Sequence, residues 1–147
     1  LKEATENKMF PGAWERFLEL VKRAREAGLN VGIFEAWRSP SRQDELFRKG
    51  TTKAQAWHSW HNYGLAADIV FIDNDNWSWK KEHDWKKLGE IGKALGLKWG
   101  GDWGWDHPHF EYPIGMKVGD ALLIIQQKNL EGLWDSISKT TKQDEKV

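Results

Sequence analysis

Two short stretches carry most of the chemistry available to this chain. Ser59 to Asp68, S-W-H-N-Y-G-L-A-A-D, place a histidine and an aspartate where one metal could take both. Trp105 to Glu111, W-D-H-P-H-F-E, add two more histidines and two carboxylates. These are the parts of a hydrolytic zinc site, in which two imidazoles and a carboxylate hold the ion, an open position takes water and a nearby acid handles its proton. The chain has no cysteine, so disulfides and thiolate ligands are excluded and histidine and carboxylate are the strong donors left.

The surrounding pattern supplies elements to position these groups. Phe10, Ala13, Trp14, Phe17, Leu18 and Val21 recur at helical spacing, with Pro11 suited to a first turn and Gly28 to the stop. Val31 to Trp37 reads as a strand, and the following S-P-S-R-Q-D-E-L-F-R-K-G as a helix capped by Ser39, which leaves Arg38 at the corner. A bend at Gly64 and a short extended run span the interval from His61 to Asp68. Two turns of helix would also put them on one face, but Gly64 and the alternation after it favour a strand from Leu65 to Ile72. That strand turns Leu65, Ala67, Ile69 and Phe71 one way and Ala66, Asp68 and Val70 the other.

Asp73 to Asn76 reads as a solvated loop, since a calcium loop would need glycine and glutamate where Ser78 and Asp84 stand. A third helix runs from Trp85 to near Gly96, and its Gly89 and Gly92 would admit a close neighbour. L-K-W-G-G-D-W begins a strand or turn. His109 to Glu111 form a short strand with Phe110 toward the core and His109 and Glu111 opposite. A last helix covers about Asp120 to Asn129, and the tail from about 138 is expected to fray. The fold class is therefore α+β, a small central antiparallel sheet carrying the site between flanking helices, in one domain over residues 1–147.

Ser59, His61, Gly64, Ala66 and Asp68 fit S-x-H-x-x-G-x-A-x-D, which chance would produce in a chain of this size on the order of a few times in 10^5. Here the sequence resembles the zinc D-Ala-D-Ala carboxypeptidase and L-alanyl-D-glutamate endopeptidase family, over roughly Gly32 to Glu111. The resemblance implies one catalytic zinc held by His61, Asp68 and His109. It makes Asp106 the general base of D-x-x-H-F-E, with Glu111 next in line, and it makes Arg38 of R-S-x-x-x-Q the group near the oxyanion. Ser59, Gln43, Trp103, Trp105 and His107 are expected along the substrate site, with Gln43 more a brace for its loop. Counting three from the base selects His109 over His107; His58 and His83 read as ordinary.

Eleven tryptophans is a high share for 147 residues, and Trp57, Trp60, Trp103 and Trp105 flank the chemical motifs. Their rings would line a groove for peptidoglycan or pack in the core. D-x-x-H followed by an aromatic and glutamate, together with W-G-G-D-W, resembles the endopeptidase branch, whereas carboxypeptidase members tend to carry E-x-x-H. The resemblance thus implies hydrolysis of the L-alanyl-D-glutamate bond in peptidoglycan stems, at the bacterial cell wall. The alternatives are a D-Ala-D-Ala carboxypeptidase or dipeptidase with the same machinery, and a zinc-stabilised wall-binding module without turnover.

Charge and hydropathy set the remaining expectations. Acidic and basic residues balance at 22 each, so no overall field recruits nucleic acid or an anionic membrane. Apolar runs such as L-A-A-D-I-V-F-I are too short to span a bilayer, and no export signal is visible. The chain is expected to work as a monomer on its peptide substrate.

Overall fold

The computed structural model describes residues 1–145, with side chains described through Lys139. Four helices surround a five-stranded antiparallel sheet. In chain order the elements are α1 (Pro11–Glu26), β1 (Val31–Glu35), α2 (Pro40–Arg48), β2 (Ala66–Asp73), β3 (Asn76–Ser78), α3 (Trp85–Ala94), β4 (Lys98–Trp99), β5 (His109–Glu111) and α4 (Val118–Glu145). Single 3₁₀ turns at Trp60–Tyr63 and Gly100–Trp103 precede β2 and follow β4. Among the described residues no helix is long and apolar enough to cross a membrane.

The long strand β2 is the spine of the sheet. β1 lies along one side of it, and β5 and β3 lie end to end along the other, β5 against Ala66–Asp68 and β3 against Phe71–Asp73. Alternation works as the sequence requires. Leu65, Ala67, Ile69, Phe71 and Phe110 turn into a core shared with Phe17 and Leu20 of α1 and Leu88 of α3. Asp68 leaves the opposite face. The α3 glycines serve close packing: a Cβ on Gly89 would collide with the Trp99 ring, and one on Gly92 with the Phe110 ring. Helix α3 can therefore sit directly on β4 and β5, the strands that carry the second motif.

Two elements differ from the sequence expectation. The Asp73–Asn76 loop is the tight turn of a hairpin, with Asn74 and Asp75 both at positive φ, 50° and 64°, and β3 follows it. Asn and Asp tolerate the left-handed region, which suits the twist of a two-residue hairpin. The last helix breaks at Asn129 as expected, but a further helical segment follows it. That residue stands at φ 69°, and its side chain then accepts a hydrogen bond from the Gly132 amide at 2.9 Å, capping the further segment. Leu133 and Ile137 anchor this segment in the core and Trp134 hydrogen-bonds the Tyr63 carbonyl; helix is assigned to residue 145, and the end of the tail expected to fray lies outside the described residues.

Candidate metal centre

His61, Asp68 and His109 come together on the outer face of the sheet, their ligand atoms all within 4.8 Å of one another. Each arrives by a different local device. Ser59 caps the 3₁₀ turn by accepting from the His61 amide at 3.3 Å, and Gly64 ends the turn at φ 70°. Only glycine fits at 64, since a Cβ there would meet the Lys8 carbonyl and the Trp134 ring. Asp68 projects from β2, and His109 of β5 is its direct cross-strand partner.

The imidazoles are held in defined orientations. His61 Nδ1 donates to the Ala36 carbonyl at 2.8 Å, which turns Nε2 toward Asp68 Oδ1 at 3.3 Å. His109 Nε2 donates to Glu111 Oε1 at 2.9 Å, which leaves Nδ1 facing the same Asp68 oxygen at 3.4 Å. Hydrogen bonds on the far nitrogen fix tautomer and ring direction in metal-binding histidines. Glu111 therefore orients His109 from behind, and its carboxylate is turned away from where a base is needed.

Burial acts to raise the Asp68 carboxyl, but His61 and His109 outweigh it and hold the group well below the usual carboxylate range. Burial likewise works against charge on His109, yet its hydrogen bonds to Asp68 and Glu111 prevail and its pKa is pushed up to about 10. Two imidazoles converging on one carboxylate form an N₂O donor set without sulfur. That set fits a three-ligand catalytic zinc with an open fourth position.

Asp106 stands just outside the triad, its Oδ2 4.0 Å from His109 Nδ1. Burial pushes its carboxyl above the ordinary range, His109 opposes this, and the nearby Asp68 charge adds to it. The W-G-G-D-W segment pins the Asp106 loop. Trp99 Nε1 donates to the His107 carbonyl at 2.7 Å, and Gly100 lies so close to the Asp106 backbone that a Cβ would overlap it.

Arg38 reaches the cluster from the other side. Its Nε and Nη2 donate to the two carboxylate oxygens of Glu35 at 2.8 Å each, its Nη1 donates to Gln43 at 2.9 Å, and Nη2 lies 3.8 Å from Asp68. Burial opposes the charge, but the Glu35 carboxylate more than compensates and keeps the guanidinium firmly protonated. Glu35 is paired with Asp68 across a bulge in β1. Sequence reasoning missed it, although its place three residues before Arg38 was the available signal. Asn62 was missed as well. Fully buried, it accepts from the Trp57 amide and donates to the Arg38 carbonyl, tying the two motifs together.

The expected substrate residues divide. Gln43 is fully buried and its amide is used at both ends, toward Arg38 and the Ala54 carbonyl, so it braces the loop and presents no surface to substrate. Ser59 is occupied as a cap. Trp57 and Trp60 pack edge-on against buried Tyr63. Trp103 and Trp105 stay 45% and 70% exposed, and the Trp103 ring lies 5.4 Å from that of His109. His107 turns aside toward Trp85 and Trp99. His58 is exposed, and His83 is bonded to Ser78 and Asp73 away from the triad.

A metal-binding triad with one acid held beside it, on a small antiparallel sheet, defines the layout of a metallohydrolase. Comparison with known proteins places it further. A family model described as D-alanyl-D-alanine carboxypeptidase matches residues 52–112. The chain is 40% identical over 106 residues to the peptidoglycan L-alanyl-D-glutamate endopeptidase CwlK of Bacillus subtilis, a match covering 60% of this chain and 64% of that one. It is 28% identical over 113 residues to the L-alanyl-D-glutamate peptidase of a Listeria phage, covering 74% of this chain and 40% of that one. The chain thus spans under two thirds of the length of either relative. Its fold resembles the vancomycin resistance D,D-pentapeptidase VanY, solved in complex with Zn(II), with a TM-score of 0.57 at 20% identity over 90% of this chain and 88% of that one. The chain is thus similar to metallopeptidases of the group that contains the D-Ala-D-Ala carboxypeptidases and L-alanyl-D-glutamate endopeptidases.

Proposed function

We propose that this chain is a zinc-dependent peptidoglycan hydrolase acting at the bacterial cell wall on the L-alanyl-D-glutamate bond of the stem peptide. The observation that carries the reading is Asp106, a carboxylate beside the triad that is not one of its members. A structural metal site has no use for such a group. The curated relatives named as L-alanyl-D-glutamate peptidases supply the choice of bond.

His61, Asp68 and His109 would hold a zinc ion, which when bound would supply Lewis acidity and lower the pKa of a bound water to about 7. The remaining work belongs to the chain. Asp106 takes the proton of the attacking water and returns it to the leaving amine, for which its elevated pKa is suited. Arg38, gripped by Glu35, presents fixed positive charge where the carbonyl oxygen becomes an anion. Glu111 keeps His109 in one orientation, and Trp103 covers that ring.

Digestion of purified peptidoglycan, with mass spectrometry of the new amino termini, tests the proposal. The expected product carries amino-terminal D-glutamate. Release of carboxy-terminal D-alanine alone would assign the carboxypeptidase reading, and zinc-dependent wall binding without any new terminus would assign the binding module.

A further inference from the structure

A groove lined by tryptophans takes no part in the scheme above. Along the same edge of β2, β5 starts opposite Asp68 and β3 ends opposite Phe71, so the loop entering β5 and the loop leaving β3 flank the gap between them. Between them opens a groove of about 920 Å³. Trp85 and Trp99, both nearly buried, form its floor, while Trp79 and Trp105 stand 51% and 70% exposed at its walls. His107, Lys81 and Lys86 supply polar groups at its margin.

Four indoles around one open groove are more than a folded core requires. Trp79 has one ring neighbour, Phe34, packed edge-on at 5.0 Å, and the neighbouring Trp77 meets Phe34 in the same way at 5.4 Å. A short chain of ring contacts links the groove to the metal centre. His107 and Pro108, on its wall, immediately precede His109, and Trp105 packs at 6.1 Å against Trp103, the ring that covers His109.

We propose that this tryptophan groove is a saccharide subsite that takes the N-acetylhexosamine backbone of peptidoglycan beside the scissile stem peptide. The inference rests on the proposed function, and substrate chemistry then selects the occupant. In a stem cleaved after L-alanine, one residue separates the reacting carbonyl from the lactyl group of the sugar, and one extended residue spans only about 3.5 Å. The surface next to the metal on that side must therefore meet sugar. Flat indole faces match the apolar C–H face of a pyranose, and the surrounding polar groups suit its hydroxyl and acetamido substituents. A short stem peptide without aromatic residues presents no flat face to set against four indoles.

The test uses the zinc-loaded full chain and a tetramer of β-1,4-linked N-acetylglucosamine, which contains the sugar backbone and no stem peptide. Titration is followed by tryptophan fluorescence and by the indole N–H resonances. Saturable binding is expected, weakened about tenfold by Trp79→Ala and largely restored by Trp79→Tyr, as for an exposed aromatic anchor. Absence of binding, or equal binding by wild type and Trp79→Ala, would overturn the proposal. Because the probe has no scissile bond, this result is independent of whether the chain cleaves peptidoglycan. In the active enzyme, Trp79→Ala should lower kcat/KM for glycan-linked stems and not for the free stem peptide. An equal fall on both would assign Trp79 to the peptide and overturn the subsite.

Discussion

Asp68 and His109 stand directly opposite each other on β2 and β5, so the pleat sends both side chains out of the same face, and one carboxylate oxygen lies 3.4 Å from the imidazole Nδ1. His61 meets the same oxygen at 3.3 Å from the preceding turn. Three groups from separate segments share one point, and their protonation is consequently coupled to metal.

Without metal, His109 has a pKa of about 10 and carries a proton at neutral pH. A metal ion can bind its Nδ1 only by displacing that proton. Zinc binding near pH 7 should therefore release protons, and apparent affinity should rise with pH up to about 10. Calorimetry in buffers of different ionisation enthalpy reads the release directly. The stability linkage has the opposite sign: the raised His109 pKa stabilises the metal-free fold fully below its unfolded value of about 6.5, and this contribution is lost as pH rises through about 10. Removal of a single donor is simpler still. In metal analysis wild type should carry one zinc per chain, and His61→Ala and His109→Ala should each lose it.

Arg38→Lys keeps a charge but cannot make the paired bonds to Glu35, so the cation leaves its fixed position. A fall in kcat/KM of about 10²-fold or more is expected, comparable to loss of an oxyanion donor, with zinc content unchanged. Near-normal turnover would return Arg38 to a purely structural role beside Gln43.

Gly100→Ala tests the pinning of the Asp106 loop. The new Cβ would overlap the Asp106 backbone, which cannot swing aside as a side chain could. Misplacement of a catalytic group by about 1 Å can cost on the order of 10²-fold in rate. The variant should bind zinc normally and lose kcat more than it raises KM. Wild-type kinetics would show that the loop has room the structure does not suggest.

Asp106→Asn preserves shape and removes the base. Hydrolysis should fall by roughly 10² to 10⁴-fold while the fold and zinc content persist, measured by circular dichroism and metal analysis. Full activity would move the proton transfer elsewhere, and Glu111 is a poor successor because it is committed to His109 Nε2.

What could be read from the sequence was local. His61 and Asp68 share one motif, and alternation along β2 and β5 assigned faces to Asp68, His109, Glu111 and Phe110. The pairing of Asp68 with His109, and of Asp68 with Glu35, depends on strand register between distant segments, which no single stretch encodes. Gln43 shows the same gap: its spacing from Arg38 was visible, but not that the Ala54 carbonyl would seal its amide inside. The tryptophans divided by environment. Trp57 and Trp60 found Tyr63 and the core, whereas Trp103 and Trp105 did not, and motif proximity could not separate the pairs. The hairpin after β2 was hidden because Asn74-Asp75 lacks the glycine that usually marks such a turn.

A zinc-dependent cut at one bond is measured most directly by a single time course on a glycan-linked stem peptide containing L-alanyl-D-glutamate. The protein is assayed as purified, after chelation, and after addition of one equivalent of zinc. Amino-terminal D-glutamate should appear, be lost on chelation and return with zinc. Cleavage that persists in the fully chelated protein, or a zinc-restored cut at another bond, would contradict the assignment.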